Sequence, residues 1–239
     1  RTLGAHYYAL ALLLVATHDP AIVDELARLM NVLKPLLVKY PTPPIDLDDV
    51  LTYNLVAFHA LVMTAAGRGD ESAYWLNLIL TRVDTVWGGS VKDRSLAHTY
   101  MAAMLTNWCL YLLVNQSRFL VAANAHKTIF QAESHVVNGI LTWDHRMPII
   151  SGSLGCQDIG YARYTMTYLL FAHLLGYTVA EPAALAVTIA NFIHVDHSLA
   201  NDICGVGTYS KPNEWALTLY GAFAKWDTTG KVADESAAK

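Results

Sequence analysis

Helix-capping and helix-breaking residues recur at short intervals along this chain, and apolar residues at three- and four-residue spacing fill the stretches between them. The segment after Asp19-Pro20 is typical, because aspartate caps a helix and proline fits its first turn. The apolar residues that follow lie on one helix face: Ile22, Val23, Leu26, Leu29, Met30 and Leu33. No sustained alternation of apolar and polar residues occurs, so we expect strands to be incidental.

This punctuation predicts an all-α protein with about nine helices packed as α/α hairpins. The predicted helices cover 6–17, 20–35, 46–66, 70–87, 93–114, 117–139, 161–175, a helix opened by a Thr178–Glu181 capping box, and 213–226. Irregular loops are predicted near 140–160 and 200–212. We expect residues 1–226 to form a single compact helical domain and 227–239 to form a polar C-terminal tail.

Charge and hydrophobic content limit the kinds of molecule that this chain is expected to bind. Charged residues make up 15% of the chain and hydrophobic residues 54%, against a usual charged share of about 25%. We therefore expect either that the chain is unusually well buried or that part of its surface is covered by other molecules. With 16 basic and 20 acidic residues, the chain does not have the basic excess that tight binding to nucleic acid requires. The apolar run Tyr7–Ala16 is too short to span a bilayer, so no membrane partner is expected.

Cysteine and histidine spacing predicts neither metal nor cofactor. Cys109, Cys156 and Cys204 are far apart and include no CxxC pair, so we expect no disulfide framework, no zinc site and a reducing compartment. His194 and His197 have the spacing of a helical ligand pair, but no second carboxylate motif accompanies them. We therefore interpret the histidines as structural.

The richest polar window is Ser151–Tyr168, where tyrosines and an arginine follow a Gly-Ser loop at the start of a helix. This window resembles the cleft of polysaccharide lyases with an α/α toroid. The resemblance implies a tyrosine and a histidine that transfer protons beside a uronate whose charge an amide or an arginine neutralises. The candidate catalytic residues under this alternative are His145, Tyr161, Arg163 and Tyr164. If Trp143 and these residues converge on one open cleft, the structure would favour an enzyme over a structural protein.

In overall character the chain is similar to the helical coat proteins of partitivirus-like double-stranded-RNA viruses. Low charge, high apolar content and abundant aromatics are typical of surfaces buried between copies. The resemblance implies a structural subunit of a homo-oligomeric capsid, not an enzyme, located in the virion or host cytoplasm and enclosing an RNA genome without binding it tightly. The candidate interface residues are Trp75, Trp87, Trp143 and Trp226. This is the preferred hypothesis; a helical adaptor or binding module is a further alternative.

Overall fold

The computed structural model describes residues 2–39, 47–85, 87–91, 96–147, 155–194, 198–208 and 219–237. The predicted all-α class is confirmed, since the chain is 72% helical, with ten helices and one two-stranded sheet among the described residues. Two compact units are present, Arg1–Arg94 with Ala102–Ala123, and Ser95–Met101 with Asn124–Lys239. In the part of the chain described, no helix is both long and apolar enough to cross a membrane.

The first unit consists of helical hairpins. Its helices are α1 (Thr2–Thr17), α2 (Pro20–Lys39), α3 (Leu47–Ala65) and α4 (Gly69–Thr85), together with parts of α5 (Ala97–Val114) and α6 (Ser117–Glu133). α1 packs on α2 and α3 packs on α4, as the hairpin prediction required. Asp19 caps α2 by accepting a hydrogen bond from the Ala21 amide at 2.9 Å. Pro35 does not end α2, which continues to Lys39.

A buried asparagine joins three helices of this unit. Asn54 of α3 is fully buried. Its Oδ1 accepts a hydrogen bond from the Tyr8 hydroxyl of α1. Its Nδ2 donates to the Ala102 carbonyl at 3.0 Å and to Thr106 Oγ1 at 3.1 Å, both on α5. Because a buried amide without partners is costly, these bonds fix the register of α1, α3 and α5.

The second unit contains a hairpin, two long helices and short C-terminal turns. Its elements are β1 (His135–Val137), β2 (Ile140–Thr142), α7 (Ile159–Leu174), α8 (Pro182–Phe192), a 3₁₀ helix (Gly221–Trp226) and α9 (Lys231–Ala237). α8 packs on β2 and on α7, and the 3₁₀ helix packs on α8. The predicted polar tail therefore contains a helix. Asp227 precedes it and accepts hydrogen bonds from Thr229 and from the Val232 amide.

The prediction that the sixth helix reaches Asn138-Gly139 is wrong. α6 ends at Glu133, and the chain continues as an antiparallel hairpin in which Val137 pairs with Ile140. Asn138 and Gly139 form its turn with φ of 53° and 81°. Positive φ at both central residues is the geometry of a type I′ turn, which asparagine followed by glycine favours.

The predicted capping box of the eighth helix is also wrong. Glu181 is the residue before the helix, and its side chain makes no capping hydrogen bond. Thr178 Oγ1 instead lies 2.9 Å from Nδ1 of His173. Pro182 starts α8 because its fixed φ and missing amide suit the first helical position. The predicted starts at Asp46 and Asp93 and most of the last predicted helix lie outside the described residues.

The prediction that the cysteines form no disulfide is wrong for one pair. Cys156 and Cys204 form a disulfide, with their Cα atoms 5.9 Å apart and 48 residues between them in sequence. The pairing depends on two loops that meet only in the folded second unit, so sequence spacing contains no sign of it. Cys109 is buried and free.

Candidate functional site

Two extended segments of the second unit, 143–146 and 155–157, lie side by side. The Gln157 amide donates to the Trp143 carbonyl at 3.3 Å, and the His145 amide donates to the Gly155 carbonyl at 3.2 Å. The backbone carbonyl of His145 accepts a hydrogen bond from the Ala97 amide at 3.0 Å. This pairing holds His145 between the start of α5 and the segment that leads into α7.

Hydrogen bonds of the Gln157 side chain connect these segments to the core. Its Oε1 accepts hydrogen bonds from Trp143 Nε1 at 2.6 Å and from Thr165 Oγ1 at 2.9 Å. Its backbone carbonyl accepts from the Ile203 amide at 3.1 Å. Gln157 and Trp143 are both buried. Trp143 is therefore a structural residue of the second unit and does not line a cleft.

α7 presents the tyrosines of the polar window. Asp158 caps the helix, with its Oδ1 accepting from the Gly160 amide at 2.7 Å. Tyr161 follows in the first turn and is 36% exposed, whereas Arg163 and Tyr164 are 5% and 4% exposed. Only Tyr161 of these three presents a large part of its side chain to solvent.

Aromatic rings gather around Tyr161. The His98 imidazole stacks on it, with ring centroids 4.8 Å apart and 19° between the planes. The half-buried His145 ring lies edge-on to it at 5.5 Å. His98 is also 6.4 Å from the rings of His145 and Tyr164. The structure thus places the rings of His145, Tyr161, Tyr164 and His98 near one another. Trp143, Arg163 and Tyr164 are buried, so the predicted residues do not converge on one open cleft.

Arg163 is buried and contacts Tyr164 of this cluster. Its Nη2 donates to the Tyr164 hydroxyl at 2.9 Å, and its guanidinium carbon lies 4.5 Å from the centroid of the Tyr164 ring. Both side chains are buried. A large acidic substrate would therefore not contact Arg163 directly, and its predicted role of neutralising a uronate does not fit this position. Its contacts suit it to orienting Tyr164.

The environment of His145 favours a neutral imidazole. Burial lowers the pKa of His145 from its usual value, and the charge of Arg146 lowers it further. Asp158 and Asp144 act in the opposite direction, but burial outweighs them. An imidazole that is neutral near pH 7 can accept a proton, so His145 has the character of a general base.

Arg146 supplies an exposed cation beside this base. Its side chain is exposed, and its amide donates to Asp144 Oδ1 at 3.3 Å. Sequence reasoning missed both Arg146 and His98. The consecutive acid, imidazole and cation of Asp144-His145-Arg146 could have indicated Arg146, whereas His98 lies far from the other site residues in sequence.

The predicted interface tryptophans are mostly in the core. Trp75, Trp87 and Trp143 are 1%, 5% and 2% exposed, so their surface is already used by the chain's own packing. They cannot anchor a second copy without unfolding, and that interpretation is corrected for these three. Trp226 is half-buried, with Lys225 Nζ 3.9 Å from its ring centroid.

Two other regions contain polar side chains that could bind a ligand. His194 Nδ1 lies 3.1 Å from Ser198 Oγ, and the predicted partners Asp196 and His197 lie outside the described residues. A pocket of about 300 Å³ lies in the first unit. It is lined by Leu37, Tyr53, Tyr74, Asn77, Leu78, Thr81, Arg82 and Thr85. None of the candidate catalytic residues lines it.

Comparison with known proteins returned no matching family model, no matching curated protein and no matching solved structure.

Proposed function

We propose that the second unit is an acid–base site that cleaves a uronate-containing polysaccharide by β-elimination. One observation carries the proposal: the half-buried imidazole of His145 lies edge-on to the exposed ring of Tyr161 at 5.5 Å. The two neighbouring side chains supply a base and a hydroxyl acid, the pair of groups that β-elimination on a sugar ring uses.

The reaction requires two proton transfers. Neutral His145 takes the proton from C5, next to the uronate carboxylate. The electron pair forms the C4–C5 double bond as the C4–O bond breaks, and the Tyr161 hydroxyl gives its proton to the departing glycosidic oxygen. Arg146 holds the carboxylate, whose negative charge grows as C5 loses its proton. Arg163 and Tyr164 are positioning residues in this scheme.

The supporting electrostatics are consistent with this division of roles. The pKa of His145 lies below its usual value because of burial, so the imidazole is ready to accept a proton at neutral pH. The charge of Arg146 also lowers the pKa of His145, so a cation acts on this imidazole.

The test is a depolymerisation assay on alginate, polygalacturonate and a glycosaminoglycan, followed by the ultraviolet absorbance of the unsaturated uronate product. We expect activity on at least one polymer and a loss of about 100-fold or more in both His145→Gln and Tyr161→Phe. Tyr74→Phe, at an equally exposed tyrosine of the first unit, is the matched control and should retain activity. Absence of product with every polymer would refute the proposal.

A second candidate is the structural subunit of a homo-oligomeric, coat-protein-like assembly. The observation that favours it is the hairpin strand β1, whose residues are all exposed. Val136 and Val137 are 70% and 55% exposed. Adjacent exposed valines on a strand are the kind of apolar surface that another copy covers.

Light scattering on a sizing column distinguishes this candidate. A coat-like subunit should elute as a particle of many copies and dissociate when Val136 and Val137 are both changed to lysine. Val121→Lys, at a 67% exposed valine of α6, is the control for added charge. A parent protein that elutes as a 26.3 kDa monomer would rule the candidate out.

A further inference from the structure

A carboxylate lies next to the disulfide of the second unit, so three side chains that can ligate a metal lie close together there. Cys156, Asp202 and Cys204 each offer one ligand atom, and these atoms all lie within 4.8 Å of one another. All three residues are half-buried, so solvent and small ions reach them. None of them takes part in the acid–base chemistry described above.

The spacing suits one small cation. With Zn–S bonds of about 2.3 Å, two thiolates on a tetrahedral zinc ion lie roughly 3.8 Å apart, and a carboxylate oxygen lies slightly closer to each sulfur. In the structure the two sulfurs are bonded to each other, and an Asp202 carboxylate oxygen lies within 4.8 Å of both. After reduction, rotation of the two cysteine side chains must separate the sulfurs to the spacing of metal-bound thiolates. Two sulfurs and one oxygen form a donor set that thiophilic divalent ions accept.

Local backbone structure orients the carboxylate. Asp202 Oδ1 accepts hydrogen bonds from the Cys204 amide at 3.0 Å and from the Val206 amide at 3.3 Å. Gly205 has a φ of +81°, and a Cβ there would come within 2.9 Å of Asn191 Nδ2. Glycine is therefore required at position 205 of this turn. The turn places Asp202 and Cys204 close to Cys156.

The disulfide and a bound ion are mutually exclusive states of the same sulfurs. Opening the disulfide to two thiols takes two electrons and two protons. A thiol reductant supplies both and becomes a disulfide itself, whereas a phosphine supplies the electrons, water supplies the protons, and the water oxygen leaves as phosphine oxide. Metal binding then displaces both protons, since thiolates are the ligands. In the structure the two cysteines are oxidised to the disulfide.

We propose that Cys156, Cys204 and Asp202 form a redox-gated site for a thiophilic divalent cation of the zinc class. The ion binds when the two cysteines are reduced and is excluded when they form the disulfide. Three protein ligands leave one tetrahedral position for water. The inference stands apart from the lyase proposal, because binding can be measured without any substrate.

The test is titration of the phosphine-reduced, oxygen-free protein with Co²⁺, followed by thiolate-to-cobalt charge-transfer absorbance in the near ultraviolet. We expect one ion per chain, complete loss of the band in Cys204→Ser, and affinity lowered by at least about tenfold in Asp202→Asn. Cys109→Ser is the matched control and should bind as the parent does. Air-oxidised parent protein should show no band.

A second measurement uses the parent chain, so that misfolding of a variant cannot decide the result. Zn²⁺ should protect Cys156 and Cys204 of the reduced protein from alkylation by iodoacetamide, as read by peptide mass spectrometry. Equal alkylation with and without Zn²⁺ would overturn the proposal. A charge-transfer band that persists in Cys204→Ser would overturn it as well.

Discussion

The imidazole of His98 lies parallel to the ring of Tyr161, with 4.8 Å between centroids. Such a contact restricts the tyrosine ring and contributes about 0.5–1.5 kcal/mol. We expect His98→Ala to lower kcat by roughly two- to tenfold, with little change in KM. His98→Phe keeps a stacking ring and should retain most of the parent rate. Equal losses in both variants would show that His98 acts through its protons and not through stacking.

Arg146 should set the acid limb of the pH–rate profile. Activity requires neutral His145, so the rate falls as the pH drops through the pKa of that imidazole. Because the charge of Arg146 lowers this pKa, Arg146→Gln should shift the acid limb to higher pH. Arg28→Gln removes the same charge from an exposed helix face in the first unit. An acid limb displaced equally by both variants would contradict this role.

His59 should make stability depend on pH. It is fully buried, with Nδ1 2.7 Å from the Tyr7 hydroxyl, and burial lowers its pKa to about 4 although Glu71 opposes this. Between the ordinary pKa near 6.5 and about 4, the unfolded chain binds a proton at this position and the folded chain does not. The free energy of unfolding should therefore fall by about 2 kcal/mol from pH 7 to about pH 5.

Urea denaturation followed by circular dichroism at both pH values measures this loss. His59→Gln should remove most of the difference in the free energy of unfolding between the two pH values. His135→Gln, at an exposed strand position, should leave it unchanged. A parent protein equally stable at the two pH values would show that His59 is protonated in the folded state.

Removal of the Asn54 side chain should weaken the first unit. Asn54→Ala leaves the buried hydroxyls of Tyr8 and Thr106 each without a hydrogen bond that they make to this amide. We expect the free energy of unfolding to fall by about 2–4 kcal/mol. Asn31→Ala, on the exposed face of α2, should change it by less than about 0.5 kcal/mol. Thermal unfolding by calorimetry compares the two.

Sequence patterns predicted the helices well where local signals agreed. α2 begins after Asp19 as expected, and α7 carries Tyr161, Arg163 and Tyr164 near its start. The hairpin was missed because Asn138-Gly139 also suits the end of a helix, and apolar Val136 and Val137 fit either structure. A local pattern cannot distinguish the two when the flanking segments are short.

The candidate site was only partly predictable, because its contacts join distant parts of the chain. The polar window indicated Tyr161 and His145, and the structure places their rings side by side. Burial of Arg163 could not be foreseen, since its position in the first turns of α7 allowed either orientation. The Cys156–Cys204 pair depends on loops 48 residues apart, and no periodicity reports such a separation.

The hydrogen bonds around Gln157 and His145 also bear on the order of folding. They join chain stretches near 97, 145, 157 and 203, which are far apart in sequence. Closing such large loops costs chain entropy before any contact is gained, so structures of this kind form slowly. Local hairpins such as α3 with α4 can form early. The stretch that holds His145 should acquire protection from hydrogen exchange late in refolding, and any activity should return with it.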